Sequence, residues 1–132
     1  MTDKDFVEAF RAGVERRWNR GPFTPTRVAE QWEQVVSMIE DGYDQNIYEY
    51  DNDLSVRQLI ADLLEDPSIR THTESAWFVE AVDALDGRLR AVMTDRPIRE
   101  GPWWRSHLPI VAGVELADGL HTRYGYTVPR VV

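Results

Sequence analysis

The 132-residue chain has no cysteine, which excludes disulfides, thiolate zinc sites and a cysteine nucleophile. No apolar run approaches the ~18 residues of a membrane span. The opening "MTDKDFVEAF" is acidic and amphipathic instead of basic and then apolar, so it does not read as a secretory signal. A reduced, cytoplasmic setting is the expectation these absences leave. Histidine is scarce as well: His72, His107 and His121 stand singly, without the H-x-x-x-H or E-x-x-H spacing used for zinc or di-iron ligation. The G-x-S-x-G elbow, the G-x-G-x-x-G loop and the Walker A pattern are missing, so serine-hydrolase, dinucleotide and P-loop chemistries have no support.

What is present is globular in character, with 42% hydrophobic and 29% charged residues. The length suits one domain spanning 1–132. The net charge of -8 is uneven. Residues 1–66 hold 15 acids against 7 bases, whereas residues 67–132 hold 8 of each. Within 30–66 there are 11 acids and the single base Arg57. Such a field repels nucleic-acid phosphates, whose binding is led by Lys and Arg contacts. It would speed encounter with a basic partner, although a solubilising surface is the plainer use of the same charge.

Helical periodicity organises most of the chain. Phe6, Phe10, Val14 and Trp18 share one face of a first helix, with Thr2 and Asp5 resembling a capping box and Gly21-Pro22 as its stop. Thr24 followed by Pro25 announces a second helix, with Val28, Trp32, Val35, Val36 and Ile39 as its stripe and Gly42 as its C-terminal cap. "NIYEY" (46–50) alternates in part and suggests a short extended segment. A third helix is expected from about Ser55 to Glu65, ended by Asp66-Pro67. A fourth, from about Thr73 to Met93, is weakened by Gly87. "IVAGVELADGLHTRYG" offers a fifth, with Val111, Val114, Ala117 and Leu120 on one side and two internal glycines against it. The rest of the C-terminal region reads as irregular, with an extended tail "YTVPRVV". An all-α bundle of four to five helices is the expected fold.

The densest functional signal is "GYDQNIYEYDNDLS" (42–55). An EF-hand loop started at Asp51 puts Val56 where glycine must make the turn and Asp62 where a bidentate Glu belongs, so calcium does not fit. Its last residues have a structural explanation. Ser55-x-x-Gln58 is a capping box, and Leu54 and Leu59 occupy the positions of a hydrophobic staple. The preceding acids and tyrosines have no such account.

Glu30-x-x-Glu33 and Asp62-x-x-Glu65 each place two carboxylates on one helix face. In that spacing alone the chain is similar to all-α nucleotide pyrophosphohydrolases of the MazG kind, a resemblance that implies Mg²⁺ held by Glu30, Glu33, Asp62 and Glu65. The second motif reverses the family's acids, and solvated helix faces account for both pairs equally. Trp103-Trp104-Arg105 stands in a Pro/Gly-bounded loop. Such residues dominate binding hot spots, while core packing of one ring, with the other facing out, is the structural alternative.

Taken together, G-Y-x₄-Y-E-Y-x-N-D-L-S-x-R (Gly42 to Arg57) and W-W-R-x-x-x-P (Trp103 to Pro109) resemble a family of small, acidic, mainly helical bacterial proteins. Some of these sit near toxin systems, which implies an immunity or antitoxin role and no catalytic residues. The function expected is therefore a non-enzymatic interaction module, without cofactor, that binds a basic protein such as a toxin and neither nucleic acid nor membrane. Its partner-binding residues would be Tyr43, Asp44, Tyr48, Glu49, Tyr50, Asp51 and Asp53, joined by Trp103 and Trp104.

Overall fold

The computed structural model of the chain describes residues 3–18 and 23–132. It is all-α apart from one two-stranded sheet. The elements are α1 (Asp3–Arg17), α2 (Pro25–Glu40), α3 (Ile47–Asp53), α4 (Ser55–Glu65), α5 (Pro67–Arg70), α6 (Ser75–Arg90), α7 (Trp103–Ser106), β1 (Val111–Ala112), α8 (Val114–Tyr124) and β2 (Arg130–Val131). Among the described residues, no helix is long and apolar enough to cross a membrane. Two compact units are formed, one from Met1–Glu33 with Val56–Ala84 and the other from Gln34–Ser55 with Leu85–Val132.

The first unit is built around aromatic rings at helical spacing. Phe6 and Phe10 lie on one face of α1, buried, and Phe10 meets Phe78 of α6 edge-on at 5.0 Å. Such edge-to-face pairs add to the apolar area that the rings bury. Against α1 packs the single turn α5. Its N-cap is Asp66, whose Oδ1 accepts from the Ser68 N–H at 2.9 Å. Arg16 and Arg17 converge on the same carboxylate at 2.9 and 3.2 Å. The Thr24-Pro25 start of α2 is borne out: the Arg27 N–H bonds Thr24 Oγ1 at 3.2 Å. The caps expected from Thr2 and from Gly21-Pro22 lie outside the described residues.

The second unit holds the regions where sequence and structure diverge. Residues 47–53 are helical, not extended. The cause is Asn46, whose side chain accepts from the Glu49 N–H at 2.9 Å and caps an additional helix. Ser55 does not cap. Its hydroxyl donates to the Asn52 carbonyl at 2.5 Å, and Leu54, the one residue between α3 and α4, keeps right-handed helical angles (φ -67°, ψ -15°).

The C-terminal region is irregular over 95–102 and 125–129 and holds short regular elements between and after them. "WWRS" is the short helix α7, and the expected fifth helix is confined to Val114–Tyr124. Its buried residues are Leu116 and Leu120, while Val114 is 60% exposed and Val111 belongs to β1. The glycine at 119 costs α8 helix propensity and is needed for packing: a Cβ there would lie 2.9 Å from Ile47 Cβ, because α8 packs against α3. Gly87 does not break α6, which runs to Arg90. The tail is extended as expected, and β2 pairs with β1 in parallel, Val111 with Arg130 and Ala112 with Val131.

Candidate partner-binding surface

The acidic block 30–66 is shared between the two units, while the expected surface around 40–53 lies within the second. Glu30, Glu33, Asp62, Glu65 and Asp66 belong to the first unit, and Glu40 through Asp53 to the second. The second unit holds 11 acids and 7 arginines, a net of -4, so its field is milder than the sequence block implied.

Inside the second unit, several of the named residues face inward. Tyr43 and Tyr50 are 1% and 0% exposed, with rings edge-on at 5.4 Å. Neither presents a face for docking, and this corrects their placement on a binding surface. The Tyr43 hydroxyl donates to Asp53 Oδ2 at 2.6 Å, which also engages Asp53 internally. Burial first, and this bond second, push the Tyr43 pKa well above its ordinary value. Burial raises Tyr50 in the same direction. Among the described residues, no group hydrogen-bonds the Tyr50 hydroxyl.

Asp51 is likewise committed. Its Oδ1 pairs with Arg99 Nη2 at 2.8 Å, and Arg99 also donates to Tyr124 Oη at 2.9 Å and to the Arg105 carbonyl at 2.5 Å. Burial works against the Arg99 charge, but the bonds to Asp51 and Tyr124 outweigh it and hold the guanidinium pKa above its usual value. Glu40 accepts two bonds from Arg88, at 2.7 and 3.2 Å, and its pKa is lowered chiefly by them.

Of the remaining residues in the stretch, Tyr48 is 68% exposed and takes a 3.0 Å bond from Arg123, whose guanidinium also lies over the ring. Glu49 and Asp44 are exposed. The tryptophan pair divides as its spacing allows: Trp104 is buried, whereas Trp103 is half-buried with the Arg90 guanidinium 4.1 Å from its ring centre. Beside Trp103, His107 Nδ1 lies 2.7 Å from the Thr94 carbonyl. A carbonyl only accepts, so this nitrogen carries the proton.

Asp41, Asp44 and Glu115 border one hollow of about 530 Å³ whose apolar lining is Met38, Val114 and Val132. All three acids are exposed. Among the described residues, none of them is in an ion pair. Three backbone features place them there. Gly42 closes α2 at φ +87°, a conformation that favours glycine. A Cβ at that position would overlap the Val132 side chain. The Gly113 N–H bonds the Tyr43 carbonyl at 2.8 Å, seating the start of α8 against residues 43 and 44. Sequence reasoning found Asp44 but missed Asp41, Glu115 and Val132, because nothing local links positions so far apart in the chain.

The magnesium alternative requires Glu30, Glu33, Asp62 and Glu65 to share a cation. Among the described residues, no three His, Asp or Glu side chains are grouped to hold a metal ion. Glu30, Glu33 and Glu65 lie on exposed positions, and Asp62 accepts from Gln58 Nε2 at 3.1 Å.

Fold and site together describe an all-α protein with three exposed carboxylates along an open hollow. Comparison with known proteins finds no matching family model, no curated protein of significant similarity and no solved structure that matches.

Proposed function

We propose that this protein is a non-enzymatic interaction module whose acidic surface binds a basic protein, in the manner of an immunity or antitoxin-type inhibitor. The observation that carries this reading is the hollow among Asp41, Asp44 and Glu115, where outward-facing carboxylates stand beside apolar side chains. Carboxylates bordering an apolar wall attract a cation more strongly than the same charges in open water. Glu40, Asp51 and Asp53 bind their own chain through Arg88, Arg99 and Tyr43, whereas Asp41, Asp44 and Glu115 stand exposed along the hollow. The resemblance of residues 42–57 and 103–109 to small acidic proteins near toxin systems supports the same class of role.

The test is capture from a lysate of the source organism, followed by identification and purification of the partner. Lys4 is the chain's sole lysine, so carbodiimide coupling joins its carboxylates to partner amines with little self-coupling. A basic protein cross-linked at Asp41, Asp44 or Glu115 is expected. Its affinity should fall about tenfold or more in Asp41→Asn/Asp44→Asn/Glu115→Gln, and should weaken with salt. Unchanged affinity of the purified partner for that variant at low salt would overturn the reading.

A further inference from the structure

The sheet has a free edge beside the hollow. In the parallel register of β1 and β2, the Arg130 and Val132 amides bond the Ile110 and Ala112 carbonyls at 3.1 and 2.9 Å. The intervening Val131 therefore turns its N–H and C=O away from β1. Val131 is 50% exposed and Val132 59%, and among the described residues no backbone hydrogen bond engages the Val131 N–H or C=O. An apolar edge with unpaired backbone groups is a template for a further strand.

The two strands run in parallel, so both of their ends, Val132 and Gly113–Glu115, meet at the hollow. A strand laid along β2 would sit about 4.8 Å from it, with side chains alternating between the two faces. The side chain next to Val132 would then share its face and enter the hollow. A lysine or arginine suits that position: its methylene stem covers Met38 and Val114, and its charge reaches Asp41, Asp44 and Glu115. A carboxylate or a short apolar side chain would leave the three acids uncompensated.

We infer that the protein binds its partner by strand addition: an extended segment of a basic protein pairs with the Val131 edge of β2 and places a lysine or arginine in the hollow. This rests on the acidic-surface reading above and adds the mode of recognition. The free edge is short, so the backbone pairing sets register while the hollow selects the basic side chain. Arg130, exposed and on the same face of β2 as Val132, opposes an incoming cation, and Arg130→Glu should tighten binding.

The experiment uses two acetylated, amidated heptapeptides of alternating Thr with Lys and alternating Thr with Glu, titrated into the full ¹⁵N-labelled chain. The Lys peptide should shift amides at 41–44, 111–115 and 130–132 and slow exchange of the Val131 amide; the Glu peptide should do neither. Val131→Pro removes an amide that β1 does not use, and should weaken the Lys peptide about tenfold. Val131→Thr keeps that amide and should retain binding, which separates edge pairing from misfolding. If the charge-neutralised triple variant loses the Lys peptide while Val131→Pro binds it normally, the acidic surface stands and strand addition is wrong. If Lys and Glu peptides bind alike, both readings fail. A free protein that sediments as a dimer, and becomes monomeric in Val131→Pro, would show the edge occupied by a second copy and overturn the inference.

Discussion

The Tyr43 hydroxyl donates to Asp53 Oδ2 at 2.6 Å, tying the residue after the α2 turn to the last residue of α3. This bond turns two members of an apparently outward-facing acidic stretch into part of the unit's interior. Tyr43→Phe should cost about 1 kcal/mol of stability, measured by urea unfolding, with little effect on partner affinity. The pH dependence has a definite sign. The folded-state pKa of Tyr43 is raised, by burial and then by Asp53, so the neutral hydroxyl contributes fully below the unfolded value near ~10. That contribution is lost as pH rises above it. Stability should therefore fall in alkali, and less steeply in Tyr43→Phe.

The start of α3 gives a second test. Asn46 caps the helix and Ser55 does not, so Asn46→Ala should cost about 1 kcal/mol. Ser55→Ala should cost less than about half of that, because the hydroxyl it removes bonds only a carbonyl already close to the surface. Equal losses in chemical denaturation would mean that the Ser55 hydroxyl caps α4 as strongly as Asn46 caps α3.

Two helical glycines should respond in opposite directions. A Cβ at Gly87 meets nothing within 4 Å, so Gly87→Ala should stabilise α6 by about 0.5–1 kcal/mol. At Gly119 the same methyl would press on Ile47 at 2.9 Å, and Gly119→Ala should destabilise by roughly 1–3 kcal/mol. Thermal unfolding of the two variants distinguishes them directly.

Asp66 predicts the acid limb. Hydrogen bonds from the Ser68 hydroxyl and N–H, followed by Arg16 and Arg17, lower its pKa to about 2. A depressed carboxylate contributes stability above the unfolded value of about 4, and the contribution is lost as pH falls toward 2. Asp66→Ala should cost roughly 1–2 kcal/mol at neutral pH through the lost cap. It should also flatten the stability profile between those pH values.

Much of the helical skeleton was legible in the sequence. The stripes from Phe6 to Val14 and from Val28 to Ile39 repeat at the helical period, and Thr24-Pro25 and Asp66-Pro67 are punctuation that acts on the residues beside it. The misreading of 46–50 came from competing local signals. Asn46-x-x-Glu49 and Ser55-x-x-Gln58 both fit capping patterns, and only the second, backed by the apolar run that becomes α4, reads as a helix start. Burial decided between the tyrosines in a way their spacing could not. Tyr43 and Tyr50 face inward and Tyr48 outward because α3 is a helix, not a strand.

What the sequence by itself determined is the all-α class, the helix-forming stripes and the supply of uncompensated acid, since composition and periodicity act on neighbours a few residues apart. Only the tertiary structure decided which acids are spent internally and which border the hollow. Arg99 reaches Asp51 and Arg88 reaches Glu40 across 48 residues each. Glu115 and Val132 arrive beside Asp41 and Asp44 because Gly113 bonds Tyr43 and β2 is laid along β1. Those contacts depend on closing long loops around a packed core, and no local propensity encodes them.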